Sequence, residues 1–120
     1  MATHNETGTK GEQIAANYLE KKGYTILETN WRFKNLEADI IASINKTLIV
    51  AEVKTRKSNY FGEPETFVNK QKQKNLIKTA NEYIIRNSLD LEARFDIISI
   101  VMNEQEMKIN HIEDAFYPLL

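Results

Sequence analysis

Apolar residues along the first half of the chain follow two different spacings, which predict a helix and then three strands. Between a capping-box pattern at 9–12 and Gly23, they recur at helical spacing: Ile14, Ala15, Tyr18 and Leu19. Residues 24–33, 38–44 and 47–53 are instead rich in β-branched and aromatic residues, with Asn45-Lys46 between the last two segments. We therefore expect a helix over 9–23, a strand and a β-hairpin, with residues 1–8 as a flexible tail.

The second half predicts another helix and one or two further strands. Asn69 is positioned to cap a helix that runs to about Asn87, whose buried stripe would be Leu76, Ile77, Ala80, Tyr83 and Ile84. Residues 94–101 form a nearly continuous apolar run typical of a buried strand, and residues 107–112 could form an edge strand. A long helix between the third and fourth strands permits a crossover, so we expect an α/β fold with a mixed sheet flanked by helices.

Composition narrows the possible chemistry. The chain has 120 residues, no cysteine and two histidines, so disulfides, thiolate zinc sites and histidine-based sites are disfavoured, and carboxylates must carry any metal chemistry. No internal linker or repeat divides residues 1–120, which we expect to form one domain. No apolar run is long enough to span a membrane and residues 1–12 do not resemble a signal peptide, which predicts a cytoplasmic protein without a membrane partner.

Charge is unevenly distributed along the chain. The formal net charge is −1, yet residues 54–78 contain seven basic residues against Glu63 and Glu65. Such a local basic block is a candidate footprint for the phosphates of a nucleic acid, although a solvated helix face has the same appearance.

The predicted hairpin brings charged residues together. A two-residue turn at Asn45-Lys46 would place Asp39 opposite Glu52, and Glu37 opposite Lys54, all on one face. Directly opposed carboxylates repel each other unless a cation or a shared proton lies between them. Oxygen ligands at this spacing suit Mg²⁺ (or Mn²⁺), and Lys54 beside the ion could offset charge that develops on a phosphate.

The alternative is that these residues form the solvated polar face of an antiparallel sheet, with Lys54 paired to Glu37. The run Leu48-Ile49-Val50-Ala51 is apolar on both faces, which predicts a central strand and partly buried polar residues after it. Buried carboxylates require a partner, so this run favours the metal site.

The spacing of these residues also carries a family resemblance. Asp39, twelve intervening residues and then Glu52-Val53-Lys54 resemble the motif of the PD-(D/E)xK nuclease superfamily, and the wider pattern resembles the YraN-like proteins. The resembling segments cover most of the chain: Gly11-Glu12, Ala15, Tyr18-Leu19, Gly23-Tyr24, Asn30-Trp31-Arg32, residues 37–41 and 50–56, Lys70-Gln71, and Arg94-Phe95-Asp96.

The resemblance implies a restriction-endonuclease-like αβββαβ core, similar to that of archaeal Holliday-junction resolvases. It implies Asp39 and Glu52 as metal ligands, Lys54 as the catalytic lysine and Glu12 as a further site residue. Glu12 also has a structural explanation, as the capping-box partner of Thr9. Leu36 departs from the pattern, because those proteins usually have glycine just before their Glu-x-Asp segment.

Further residues are candidates for nucleic-acid binding. Lys70, Lys74 and Lys78 recur every four residues and form one helical stripe, aimed either at phosphates or at water. Arg56 and Lys57 belong to the same basic block, and Gln71 could reach a base edge or lie on the surface.

The sequence thus predicts a Mg²⁺-dependent nuclease that hydrolyses phosphodiester bonds of DNA or RNA. Two alternatives stay open: a noncatalytic nucleic-acid-binding module on the same fold, and a structural or interaction domain. DNA is the expected partner over RNA, and a homodimer is as compatible with the sequence as a monomer.

Overall fold

A computed structural model of the chain describes residues 3–58 and 68–116, with the backbone alone for residues 3–7. The elements are α1 (Thr3–Lys21), β1 (Thr25–Phe33), β2 (Leu36–Ile44), β3 (Thr47–Arg56), α2 (Lys70–Arg86), β4 (Glu92–Met102) and β5 (Met107–Phe116). The strands form one sheet in the order β1-β2-β3-β4-β5, in which β3 and β4 are parallel and the other neighbours antiparallel. This is the predicted mixed α/β fold, and it is compatible with a restriction-endonuclease-like core.

The turn between β2 and β3 has a left-handed backbone at both of its residues, a conformation that Asn adopts more readily than most residues. Asn45 and Lys46 have φ angles of 47° and 64°, which are the left-handed values of a two-residue hairpin turn. Ile44 pairs with Thr47, as the sequence predicted. The turn therefore fixes the register of this hairpin at its closed end.

The two helices cover opposite faces of the sheet. Ala15 and Leu19 of α1 are buried in one cluster with Ile49, Ala51 and Ile98. The other face buries α2 residues against strand residues: Leu76, Ala80 and Tyr83 against Val50 and Phe95. Successive β3 residues therefore alternate between two buried faces, which explains why this central strand is apolar on both sides.

Asn69 and Asn87 delimit α2, as the sequence predicted. The Asn69 side chain accepts a hydrogen bond from the backbone N–H of Lys72 at 2.9 Å, which satisfies one free donor of the first turn. The Asn87 backbone N–H donates to the Tyr83 carbonyl at 3.1 Å. The first turn of α2 is consequently anchored, and it is this turn that contributes to the candidate site.

The start of α1 differs from the prediction. The helix begins at Thr3, so Thr9 lies within it rather than at its cap, and residues 3–8 are helical rather than a flexible tail. A Ser or Thr cap is a local preference of about 1 kcal/mol, whereas a helix nucleated by packing can propagate one hydrogen bond per added residue. None of the helices among the described residues is long and apolar enough to cross a membrane.

Candidate functional site

The sheet divides between β2 and β3, and the division forms a cleft. The β2–β3 ladder runs from Ile44 opposite Thr47 to Ile40 opposite Ala51 and ends there. Beyond this point β2 continues only along β1, and β3 only along β4 as far as Arg56. The predicted backbone pairing of Asp39 with Glu52, and of Glu37 with Lys54, is therefore wrong.

The backbone of the β1–β2 pair is irregular near the point where β2 leaves β3. The side chains of Ala38 and Ile41 pack on the α2 face, whereas Ile40 packs on the α1 face, so the alternation expected of a regular strand breaks at Asp39. Across the ladder, between the partners of Ala38 and Ile40, Asn30 has a left-handed backbone with φ of 52°. Local irregularities of this kind bend strands and redirect single side chains.

Asp39 bridges the two separated strands through its side chain. Its Oδ2 accepts a hydrogen bond from the Val53 backbone N–H at 2.8 Å, at a position where the β2 main chain no longer pairs with β3. A buried N–H needs an acceptor, and here a carboxylate supplies it. The bond fixes Asp39 beside the Glu52-Val53-Lys54 segment.

The cleft opens into a cavity of about 290 Å³. Its lining includes the four predicted catalytic residues and three others: Glu12, Asp39, Glu52 and Lys54, with Gly8, Val53 and Thr55. The fold thus brings together four predicted residues, from α1, β2 and β3, that lie up to 42 positions apart in the sequence.

Glu52 is the buried charge at the centre of this arrangement. The residue is 4% exposed, and its Oε2 lies 3.5 Å from Lys54 Nζ and 3.4 Å from Lys72 Nζ. Burial, and next the negative charge of Asp39 within hydrogen-bonding reach, raise the pKa of Glu52 to about 7, although both lysines oppose the rise. Two carboxylates therefore lie close enough to share a proton or a cation.

Glu12 reaches the same cavity from α1. Because Thr9 lies inside the helix, Glu12 is not its capping-box partner, and that explanation is wrong. Its carboxyl group is instead within hydrogen-bonding reach of the Asn30 and Asp39 side chains, and burial followed by the charge of Asp39 raises the pKa of Glu12. The structure thus places Glu12 at the cavity, while its chemical role stays a prediction.

A glycine allows α1 to approach the sheet at this point. Gly11 is buried, and a Cβ atom added to it would overlap Thr55 Oγ1 on β3. The helix can therefore lie against β3 only because residue 11 has no side chain. This close approach determines how near Glu12 lies to Asp39.

Lys72 is a site residue that the sequence reasoning missed. It lies one helical turn before Leu76, so extending the buried stripe of α2 toward its N-terminus identifies it. Lys72 points toward the sheet, whereas Lys70, Lys74 and Lys78 are exposed on the same helix.

The predicted nucleic-acid-binding residues lie outside the cavity lining. Lys70, Lys74 and Lys78 are exposed, and in the part of the chain that the structure describes none of the three forms an ion pair. Gln71 is exposed and donates to Asn75 Oδ1 at 3.2 Å, along its own helix.

The two basic residues that follow Lys54 differ in exposure. Arg56 is half-buried at the end of β3, whereas Lys57 is exposed and accepts a hydrogen bond at its carbonyl from Asn103. Residues 59–67, which include the block's Glu63 and Glu65, lie outside the described residues.

A second buried polar cluster, formed around Asp96 and His111, is separate from the cavity lining. Asp96 is fully buried and accepts hydrogen bonds from Arg94 at 2.9 and 2.8 Å, and from the Asp114 backbone N–H at 3.0 Å. Its Oδ2 lies 2.7 Å from His111 Nε2. Burial alone would raise the pKa of Asp96, but these hydrogen bonds lower it, so the cluster has the character of a satisfied core network.

Comparison with known sequences identifies the family. Residues 11–100, three quarters of the chain, match the family described as "Uncharacterised protein family UPF0102". The chain belongs to this family. A UPF0102 protein of Flavobacterium psychrophilum is 53% identical over 117 residues, which cover 98% of each chain.

More distant UPF0102 relatives align over the same extent. A Bacteroides thetaiotaomicron protein is 42% identical over 120 residues (100% of this chain and 99% of the relative), and an Alkaliphilus oremlandii protein is 42% identical over 116 residues (94% and 99%). These matches confirm the resemblance to the YraN-like proteins, and the names of the relatives give the family without an activity.

Proposed function

We propose that this UPF0102 protein is a Mg²⁺-dependent nuclease that hydrolyses phosphodiester bonds of a nucleic acid, with DNA as the expected substrate. The observation that carries the proposal is the pair of neighbouring carboxylates, Asp39 and Glu52, at the cleft where β2 and β3 separate. Lys54 and Lys72 compensate the buried member of this pair only in part, since its pKa stays raised, and a divalent cation between the two carboxylates would compensate both. Lys54 lines the same cavity.

The donor set fits a hard divalent cation. Among residues 3–58 and 68–116, no group of three or more His, Asp or Glu side chains is close enough to hold one ion. Mg²⁺ is commonly bound by only one or two carboxylates, with water and substrate phosphate completing its shell. Asp39 and Glu52 would hold the ion, which when bound supplies an activated water and neutralises charge on the phosphate.

The surrounding residues have distinct tasks in this proposal. The Val53 N–H orients the Asp39 carboxylate through its hydrogen bond to Oδ2, and Oδ1 would then be the oxygen that ligates the metal ion. Lys54 is held by β3 next to Glu52, where its ammonium can offset negative charge that builds up on the scissile phosphate. Glu12 lies on the α1 side of the cavity, within reach of Asp39, and can hold or orient a water molecule there.

The exposed lysines of α2 would bind the nucleic-acid backbone. Lys70, Lys74 and Lys78 project from the helix whose first turn reaches Glu52, so phosphates bound along this stripe lead toward the cleft. Lys57, Arg56 and Gln71 would extend this surface. A cytoplasmic location would give the protein access to such a substrate.

One observation favours a second candidate, a noncatalytic nucleic-acid-binding module. Lys54 and Lys72 both lie within 3.5 Å of Glu52, and two ammonium groups can satisfy this carboxylate without a metal ion. Under this alternative the cleft would bind phosphates and leave them intact.

A cleavage assay distinguishes the two candidates. Labelled duplex, single-stranded, flapped and four-way DNA, and matched RNA, would be incubated with Mg²⁺ or Mn²⁺ and with chelator. We expect divalent-dependent cleavage that Asp39→Asn, Glu52→Gln and Lys54→Met each reduce by at least about a hundredfold.

Glu92→Gln is the matched control. Glu92 is exposed at the start of β4, where it pairs with Thr47 at the end of β3 that lies away from the site. Binding without cleavage under every condition would support the binding module, and full activity in any of the three site variants would contradict the assigned roles.

A further inference from the structure

Glu52 has two lysine neighbours, which come from different elements of the fold. Lys54 is two residues away on the same strand, so β3 fixes it beside Glu52. Lys72 comes from α2, and its side chain is 36% exposed. The Lys72 backbone is anchored by the Asn69 cap, so a flexible four-carbon side chain alone connects it to the carboxylate.

We infer that Lys72 is a built-in counter-ion of Glu52 that a divalent cation must displace in order to bind. This inference rests on the proposed function, because it concerns the same site, and it adds a competition between a side chain and the metal. In the metal-free protein, the ammonium of Lys72 supplies the positive charge that the buried carboxylate needs. When a cation occupies the cleft, that ammonium moves to the exposed side of α2, where it can contact a substrate phosphate.

The direction of the effect on metal affinity follows from electrostatics. Removing the Lys72 charge leaves metal-free Glu52 with less compensation and removes the repulsion between an ammonium and the incoming cation. Lys72→Gln should therefore bind Mn²⁺ more tightly than the parent, by roughly threefold to tenfold, which is the range expected for a partly exposed ion pair. A residue that positions Glu52 for the metal would have the opposite effect when replaced, and a simple phosphate contact would have none.

The first experiment measures Mn²⁺ binding without nucleic acid, at pH 8 and fixed ionic strength. Electron paramagnetic resonance spectra report the fraction of free Mn²⁺, whose signal is lost when the ion binds. The parent, Lys72→Gln, Lys72→Arg and Lys21→Gln would be compared. Lys21 is the control because it is exposed at the end of α1, lies outside the proposed site and forms no ion pair among the described residues. We expect tighter binding in Lys72→Gln and parental affinity, within about twofold, in the other two variants.

The second experiment needs no metal. With chelator at pH 8, the Lys72→Gln variant should melt at a lower temperature than the parent. The double variant Lys72→Gln/Glu52→Gln should melt at nearly the same temperature as Glu52→Gln alone. Equal effects in the two backgrounds would show that Lys72 does not compensate Glu52, and would overturn the inference whatever the metal result.

The remaining outcomes separate this inference from the proposed function. Equal or weaker Mn²⁺ binding in Lys72→Gln, with a parent that binds, overturns the inference alone. If neither protein binds Mn²⁺, the metal site and the inference both fail. If Lys72→Gln binds Mn²⁺ and the parent binds it too weakly to detect, the result would support the inference most strongly.

Discussion

Asp96 and Glu52 are both buried carboxylates on neighbouring strands, yet their surroundings have opposite effects. Asp96 is met by a bidentate guanidinium from Arg94, by His111 and by a backbone N–H, all at 3.0 Å or less. Glu52 has two ammonium groups at 3.4 and 3.5 Å and a second carboxylate beside it. The pKa of Asp96 is accordingly lowered and that of Glu52 raised.

The comparison shows that the charge of Asp96 is fully compensated by its neighbours, whereas the charge of Glu52 is only partly compensated. A buried charge whose hydrogen-bonding capacity is filled stabilises the structure around it or at least specifies it. A buried carboxylate beside a second carboxylate, such as Glu52 beside Asp39, is only partly compensated by Lys54 and Lys72, and a cation or a proton would complete the compensation. Burial alone therefore does not mark a functional carboxylate, whereas incompletely compensated burial does.

The largest expected effect is on the satisfied carboxylate. Asp96→Asn should destabilise the protein by about 3–5 kcal/mol, because it breaks the bidentate pair with Arg94 inside the core and weakens the contact with His111, while only the more distant Glu113 carboxylate, at 3.7 Å, still faces Arg94. Urea denaturation at pH 7 measures this. A loss below about 1 kcal/mol would show that the Asp96 cluster is not a stabilising network.

Glu52→Gln should stabilise the metal-free protein at high pH, in contrast to the loss of stability expected for Asp96→Asn. Because the pKa of Glu52 is raised to about 7 in the folded protein, its contribution to stability is present at low pH and is lost as pH rises through 7. With chelator present, Glu52→Gln should be as stable as the parent at pH 5 and more stable at pH 8, by up to about 3 kcal/mol. Denaturation curves across this range measure the difference, and a gap that does not change with pH would contradict the assigned shift.

Gly11→Ala tests the close approach of α1 to β3 that places Glu12 beside Asp39 and Glu52. The added Cβ meets Thr55 Oγ1, so we expect a loss of about 1–3 kcal/mol from overpacking. Thr55→Ala removes that oxygen and should rescue the variant, with Thr55→Ala alone as the control. A lack of rescue in the thermal melt of Gly11→Ala/Thr55→Ala would place the cause elsewhere.

The smallest effect concerns the exposed lysines, which contrast with the engaged Lys72. Replacing Lys70, Lys74 and Lys78 by Gln should reduce the salt dependence of DNA binding by up to about three in log–log slope, since each phosphate contact contributes roughly 0.9. Fluorescence anisotropy at several salt concentrations measures the slope. The control removes the same charge at Lys21, Lys46 and Lys108, and equal slopes in the two triple variants would show that the stripe faces water.

Local signals in the sequence predicted the elements well where a short-range rule determines the backbone. Asn45-Lys46 predicted the hairpin turn, and Asn69 predicted the start of α2, because left-handed turns and helix caps depend on a few adjacent residues. The two helices and the mixed sheet followed from hydrophobic spacing.

The four residues predicted to be catalytic line one cavity, but the geometry that brings them together was not predicted. Period-two alternation assumes a regular strand, and nothing in that pattern reveals that Asn30 adopts a left-handed backbone or that β2 leaves β3 after Ile40. Lys72 was not predicted because it lies at the N-terminal end of the buried stripe of α2, where a basic residue usually faces solvent. The start of α1 was missed because helix propagation can override a local cap signal.

Metal-dependent stabilisation tests the central claim, that Asp39 and Glu52 together form a cation site, most directly. Thermal melts of the parent, Asp39→Asn and the control Glu92→Gln would be recorded with chelator and across a Mn²⁺ titration at fixed ionic strength. We predict that Mn²⁺ stabilises the parent and Glu92→Gln alike, by about 2.7 kcal/mol at a hundredfold excess over the dissociation constant, and that Asp39→Asn loses most of this gain. An equal response to Mn²⁺ in all three proteins would contradict the claim.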